Sequence, residues 1–228
     1  MSREVPYEVQ TVDHPNPIAR FAHKARYRNS LELATRLLPC GGRILDFGAG
    51  QGEFLHRLAE FRPDVTPVAF EPFMELKYSD VERVPTMEEV EPNSIDCYCA
   101  FETLEHVPDE QIEYFVAQAK RVCRADAKIL VSVPIMQGAV LPIKQLIRSL
   151  LFRRFSDYSI SEMMKGIVGM EVPRAENILW SHKGFDHRRL FLRLQMAFTP
   201  ERTIYSPLQQ LPWWCNSQAF FVFSLKKR

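Results

Sequence analysis

The run from Arg43 to Phe54, RILDFGAGQGEF, constrains the fold of this chain more than any other stretch. Ile44, Leu45 and Phe47 make a short apolar segment of the kind that becomes a buried strand. Gly48, Gly50 and Gly52 follow at alternate positions, where a missing Cβ admits positive φ and lets the backbone approach a ligand closely. A helix is predicted to begin near Glu53. The glycine spacing is G-x-G-x-G rather than the G-x-G-x-x-G of dinucleotide binders. Carboxylates also flank it, with Asp46 two positions before the first glycine and Glu53 after the last. A cradle charged in that way suits a cationic ligand better than a pyrophosphate.

Further along, Pro67 to Phe70 reads as a second short strand that ends in Glu71 and Pro72. The distance from Gly52 to Glu71 is close to the roughly 20 residues at which α/β nucleoside sites place a carboxylate on the ribose hydroxyls. A solvated loop charge is the alternative for Glu71. The combination of strand, Asp46, G-x-G-x-G and a second acidic strand end resembles the class I S-adenosylmethionine-dependent methyltransferases. The resemblance implies S-adenosylmethionine as cofactor, cradled at Asp46, Phe47, Gly48, Ala49, Gly50 and Gly52, with Glu71 and Pro72 at the ribose. It also implies that Met87 and Glu88 border the adenine, and that Phe101 and Glu102 lie beside the methionine part.

The order of elements supports an α/β reading. A helix from about Pro17 to Leu38 precedes the first strand, and Phe54, Leu55, Leu58 and Phe61 form the predicted buried face of the next helix. A third strand lies somewhere within Val81 to Thr86. Ile95 to Phe101 and Lys128 to Val133 read as further strands, with Ile112, Phe115, Val116, Ala119 and Val122 at helical spacing between them. A helix from about His187 to Phe198, a strand near Arg202 to Tyr205 and the apolar Ala219 to Leu225 close the chain as an antiparallel hairpin. The predicted fold is Rossmann-like, a seven-stranded, mostly parallel sheet with helices on both faces. It forms one domain over residues 1–228, with 135–183 as an insertion or lid.

Composition narrows the function classes. Lys and Arg number 29 against 28 Asp and Glu, a net charge of +1 without the basic footprint of a nucleic-acid binder. Five cysteines in no C-x-x-C pair indicate neither a disulfide framework nor a zinc knuckle. MSREVPYEVQTVDHPNP lacks the apolar stretch of a signal peptide, so a cytoplasmic protein, peripheral to a membrane at most, is expected.

Methyl transfer to an oxygen benefits from a base, and histidine is the usual one near neutrality. His106, His182 and His187 fall where they can face the carboxyl edge of the sheet. Of these, His182 and His187 are the favoured proton acceptors, while His106 is catalytic or a structural residue at a helix start. The stretch Phe101 to Asp109 resembles the fourth-strand motif of small-molecule methyltransferases and lacks the Asn-Pro-Pro-aromatic pattern of enzymes that methylate base amino groups. Its Glu-x-x-Glu-His run, Glu102, Glu105 and His106, is similar to that of ubiquinone-biosynthesis O-methyltransferases, where the resemblance implies a divalent metal. The run is common in proteins that bind none, and no metal is expected here.

In the insertion, Ile143, Leu146, Ile147, Leu150 and Leu151 share one helical face, opposite Lys144, Gln145, Arg148 and Ser149. With Phe152 to Phe155 they read as a lid over the substrate cleft, or as a basic amphipathic contact (141–155) with an anionic membrane or lipid-linked acceptor. Trp180 to Arg189 is dense in His, Asp and basic residues, and its His-x-Gly-Phe-Asp-x-Arg pattern is similar to methyltransferases of surface-polysaccharide assembly. Asp186 there is either an acceptor-site carboxylate or a helix cap. The expected acceptor is a small molecule, a saccharide hydroxyl first and a lipid-linked or quinone-type group second. A cofactor-binding module without turnover is the other class left open.

Overall fold

The computed structural model describes residues 17–152, 156–179 and 181–226. The chain alternates helix and strand: α1 (Pro17–Leu37), β1 (Arg43–Phe47), α2 (Glu53–Phe61), β2 (Thr66–Phe70), β3 (Glu82–Val84) and β4 (Ile95–Phe101). There follow α3 (Asp109–Val122), β5 (Cys123–Pro134), α4 (Val140–Phe152), α5 (Ile160–Ile167), α6 (His187–Ala197), β6 (Phe198–Ser206) and β7 (Gln218–Leu225). The strands form one sheet in the order β3-β2-β1-β4-β5-β7-β6. β1 to β5 are parallel, and β7 runs antiparallel to both β5 and β6. This is the mostly parallel, hairpin-closed sheet that the element order predicts.

Alternation along the strands separates two cores, one on each face of the sheet. Leu45 and Phe47 point to the side packed by Ile112, Phe115 and Ala119 of α3 and by Leu190 and Leu194 of α6. Ile44 joins Cys97 and Cys99 on the other side, under Leu33, Ala34 and Leu38 of the α1 segment and Phe54, Leu55 and Leu58 of α2. Phe61 departs from its prediction and is 68% exposed, because it is the last residue of α2 and lies beyond the turn that meets the sheet.

The chain leaves β1 outward to β2 and β3, then returns to β4 on the other side of β1. The carboxyl ends of β1 and β4 are therefore the switch point at which open α/β sheets leave a crevice. Among the described residues no helix is long and apolar enough to cross a membrane.

Candidate active site

The glycine turn sits at that switch point. Gly48 has φ of +81° and donates its N–H to Phe70 O at 2.8 Å, which ties the end of β1 to the end of β2. A Cβ on Gly48 would lie 2.4 Å from Thr103 Cγ2, so both conformation and space require glycine there. Thr103 in turn donates to Gly48 O at 3.3 Å and so links the turn to the segment after β4. Sequence reasoning missed Thr103, whose role appears only when β1 and β4 stand side by side.

Glu71 is buried, and its carboxylate holds the cradle from the other side. It accepts from Gly50 N at 2.9 Å, Phe73 N at 2.8 Å and Met74 N at 3.2 Å. The solvated-charge alternative is thereby removed. Phe73, next in the chain after Pro72, is 93% exposed. Asp46 is 3% exposed, and its Oδ1 has no hydrogen-bond partner. Burial pushes its carboxyl up from 3.8 to about 7; a Cys99 hydrogen bond opposes the rise and the Glu71 charge adds to it. A buried, orphaned carboxylate oxygen beside a glycine turn lacks a cationic partner, and the amino group or sulfonium of S-adenosylmethionine is such a partner.

Two of the residues read as cofactor contacts are turned away. The Phe47 ring is in the core, 4.9 Å from Phe70 and 5.4 Å from Phe115, because strand alternation sends it to the face opposite Asp46. Met87 is likewise fully buried in that core, and Glu88 accepts from the Tyr114 hydroxyl at 3.3 Å. Phe101 lies edge-on to Phe54 at 4.6 Å, and Ala49 is half-buried.

At the end of β4 the chain bends sharply. Glu102 adopts φ of +55°, rare for a residue with a Cβ, and accepts from Arg26 Nη1 at 3.2 Å, Ser132 Oγ at 3.2 Å and the Gln218 amide. Its carboxylate is thereby committed to α1, β5 and β7. The bend aims the next residues at the insertion. His106 donates through Nδ1 to Ile178 O at 3.0 Å, since a carbonyl can only accept, which in the neutral ring leaves the lone pair on Nε2. That nitrogen is 2.9 Å from His182 Nε2.

Glu105 completes the group, with Oε1 3.9 Å from His106 Nε2 and 4.0 Å from His182 Nε2. It is 1% exposed, and among the described residues neither carboxylate oxygen has a hydrogen-bond partner. Burial raises its carboxyl well above the usual range, and the charge on Glu102 adds to the effect.

His182 reaches His106 across 76 residues because the loop carrying it is clamped. Arg174 donates to Lys183 O at 3.2 Å and also to Glu105 O, while Ala175 N donates to Lys183 O at 3.1 Å. Gly184, at φ of +73°, allows the loop to press against Pro173 O, which a Cβ would approach to 2.3 Å.

His187 does not join this pair. It is 1% exposed, its ring packs 5.3 Å from that of Trp213, and neither nitrogen has a hydrogen-bond partner. Burial lowers its pKa to about 4, against the pull of Asp186, and the ring sits in the core away from the other two histidines. Asp186 is the helix cap of the two alternatives: its carboxylate accepts from Arg188 N at 2.9 Å at the start of α6.

The insertion helix α4 faces the opposite way from its prediction. Ile143 and Leu146 are exposed, whereas Gln145 is buried and Lys144 runs inward to donate to Ile135 O at 2.8 Å and Ser217 O at 2.9 Å. Ile135 O lies just after β5, and Ser217 O, just before β7, also accepts from Ile135 N at 2.9 Å. Desolvation lowers Lys144 to about 8. Residues 153–155, the side chains of Arg148, Leu150, Leu151 and Phe152, and Trp180 lie outside the described residues.

A seven-stranded sheet in this order, with an acidic strand end and a glycine turn at its switch point, defines a class I S-adenosylmethionine-dependent methyltransferase. The chain belongs to the methyltransferase-domain family, which it matches over residues 21–220. A search of curated proteins returned no match. Among solved structures it is similar to the PH0226 protein from Pyrococcus horikoshii OT3, at 15% identity and a TM-score of 0.58 over 96% of each chain. It is also similar to a SAM dependent methyltransferase from Aquifex aeolicus, at 14% identity and a TM-score of 0.54, over 87% of this chain and 90% of that one. A third is 1,6-didemethyltoxoflavin-N1-methyltransferase from Burkholderia thailandensis, whose structure holds 1,6-didemethyltoxoflavin and S-adenosylhomocysteine. There the identity is 16% and the TM-score 0.60, over 89% of this chain and 79% of that one. At such identities the likeness is one of fold.

Proposed function

We propose that the chain methylates a hydroxyl oxygen of a small-molecule acceptor, a saccharide first among them, and that it does so in the cytoplasm as one domain over residues 1–228. The observation that carries this reading is the His106–His182 pair, 2.9 Å apart and joined through Thr103 to the glycine cradle. When bound, S-adenosylmethionine supplies a methyl group on a positively charged sulfur and leaves as a neutral thioether. Asp46, Gly48, Ala49, Gly50 and Gly52 hold its methionine part, with Phe101 and Glu102 bordering that part. Glu71 and Pro72 meet the ribose, and the exposed ring of Phe73 flanks the adenine, a use that fits a large apolar side chain at the mouth of a nucleoside site.

On the acceptor side the imidazole pair takes the hydroxyl proton as the oxygen bonds to the methyl carbon and the carbon–sulfur bond breaks. A positioned base of this kind contributes about 10² to 10⁴ fold. The near-zero net charge argues against a nucleic-acid acceptor.

The test is methyl-labelled cofactor with panels of hydroxyl-bearing and amine-bearing metabolites. Label should enter hydroxyl compounds, and His182→Ala should lose about 10² fold or more in kcat while keeping its cofactor Kd. Label confined to amines, or a variant as fast as the parent, would overturn the oxygen assignment.

A second reading has its own observation. Ile143, Leu146, Ile160, Met164 and Val168 of the insertion are all exposed, and such side chains suit a lipid-linked acceptor at a membrane surface. Co-sedimentation with anionic vesicles, absent from neutral ones, would favour it.

A further inference from the structure

We propose that Glu105, His106 and His182 form a site for a first-row transition-metal dication of the Zn²⁺ type, bound by one carboxylate oxygen and two imidazole nitrogens. The proposal rests on the reading of this cluster as the acceptor side of the active site and names a ligand for it. The three candidate ligand atoms all lie within 4.8 Å of one another. Ligand atoms at about 2.0–2.2 Å from a tetrahedral zinc stand about 3.4 Å apart, so small side-chain rotations close the shell.

Three further observations point to a cation. Both Glu105 oxygens are buried, and among the described residues no donor reaches them, so a carboxyl group stands in the interior with no hydrogen-bond partner. His106 has its tautomer fixed by Ile178 O, the outer-shell arrangement that turns the other ring nitrogen into a ligand. His182 is delivered by the Arg174 clamp, which also donates to the main chain of Glu105 and so holds two of the three ligands from a single guanidinium.

The donor set selects the metal class. Two imidazoles with one carboxylate suit Zn²⁺, Co²⁺ or Fe²⁺, whereas Mg²⁺ takes oxygen ligands in octahedral geometry. The Glu-x-x-Glu-His run alone would have placed Glu102 in the site, but its carboxylate is occupied by Arg26, Ser132 and Gln218. The third ligand comes instead from the far end of the insertion. Three protein ligands leave a position open, and the imidazoles are 28% and 37% exposed, which provides a path in. With the metal bound, an acceptor hydroxyl in the open position becomes more acidic through coordination, and its proton passes to water instead of to the bare imidazole pair.

The experiment uses the full chain, treated with chelator and dialysed, carrying Cys40→Ser to remove the exposed thiol. Calorimetric titration with ZnCl₂ and separately with MgCl₂, and the visible spectrum with CoCl₂, read binding without any acceptor. The expected result is one zinc per chain, no magnesium heat, and the intense cobalt bands of four-coordinate geometry. His182→Ala and Glu105→Gln should each weaken zinc at least tenfold, while Glu102→Gln stays within about twofold, with circular dichroism confirming that each variant is folded. Absence of saturable zinc binding, zinc binding that survives His182→Ala, or equal loss in Glu102→Gln would overturn the site. Methyl transfer to hydroxyls is measured separately, so failure of the metal leaves that reading standing, and the converse holds.

Discussion

Asp46→Asn isolates the energetics of the cradle. In the unfolded chain this carboxyl ionises near 3.8, whereas in the fold burial holds its proton until about 7. Between those values the folded state binds more protons, so the contribution of Asp46 to stability is complete below pH 3.8 and is lost as pH rises through 7. At about 1.4 kcal/mol per pH unit, the interval from pH 5 to 7 alone is worth about 3 kcal/mol. For a domain of this size that corresponds to about 6 to 12 °C in Tm. The assay is thermal unfolding of parent and variant, without cofactor, at pH 5 and pH 8. Titrations of other groups are common to both chains and cancel, so the Tm of the variant minus that of the parent should grow by that amount from pH 5 to 8.

Cofactor affinity should run the other way. A cation prefers the ionised Asp46, so S-adenosylmethionine should bind the parent about tenfold more weakly at pH 5.5 than at pH 8, and the variant with no such dependence. A Tm gap that is flat with pH would refute the buried-proton argument. A gap that shrinks as pH rises would show that a cation of the chain already pairs with Asp46.

Other changes test the remaining parts of the site. Glu71→Ala removes the acceptor for three main-chain N–H groups around the cradle, and calorimetry should show S-adenosylmethionine binding at least tenfold weaker; unchanged affinity would remove Glu71 from the site. Gly48→Ala forces a Cβ into Thr103 at a left-handed φ and should destabilise the chain by about 1 to 3 kcal/mol in urea unfolding, with cofactor binding lost. His187→Phe removes two buried unpartnered nitrogens from a pocket lined by Trp213; Tm should hold or rise and methyl transfer should persist, and a large fall in kcat would return His187 to the catalytic set.

Periodicity and glycine spacing made the sheet legible because each of those signals is local. Ile44 to Phe47 with three glycines marks a strand, a turn and a helix within twelve residues, and strand alternation decides which of Asp46 and Phe47 faces the crevice. That same alternation, applied to Phe47, argues against its side chain as a cofactor contact. The faces of α4 were not legible. Hydrophobicity places Ile143 and Leu146 inward, but Lys144 runs inward to the carbonyls of Ile135 and Ser217 at the sheet end, a tertiary contact that no helical period encodes. Of the histidine pair, His106 was marked by the Glu-x-x-Glu-His run after β4, and His182 only by the density of His, Asp and Arg from 181 to 189. No spacing rule predicts that Arg174 and Gly184 fold that stretch onto His106.

The cradle and the acceptor side are therefore specified by different kinds of information. The cradle is written in contiguous residues and closed by contacts from Gly48 to Phe70 and Thr103 and from Gly50 to Glu71, at the neighbouring strand ends. The acceptor side depends on a loop whose His182 lies 76 residues after its partner and which is held by Arg174, by Ala175 N and by the left-handed Gly184. Substitutions within 173–185 can thus move or remove His182 without disturbing β1, β2 or β4, so acceptor choice can change while cofactor binding persists. Arg174→Ala puts this to measurement. Losing the clamp should release His182 and raise the acceptor KM or abolish transfer while the S-adenosylmethionine Kd stays within about twofold of the parent. If the cofactor Kd rose in step with the loss of transfer, the two halves would be coupled through Glu105 and the separation argued here would be wrong.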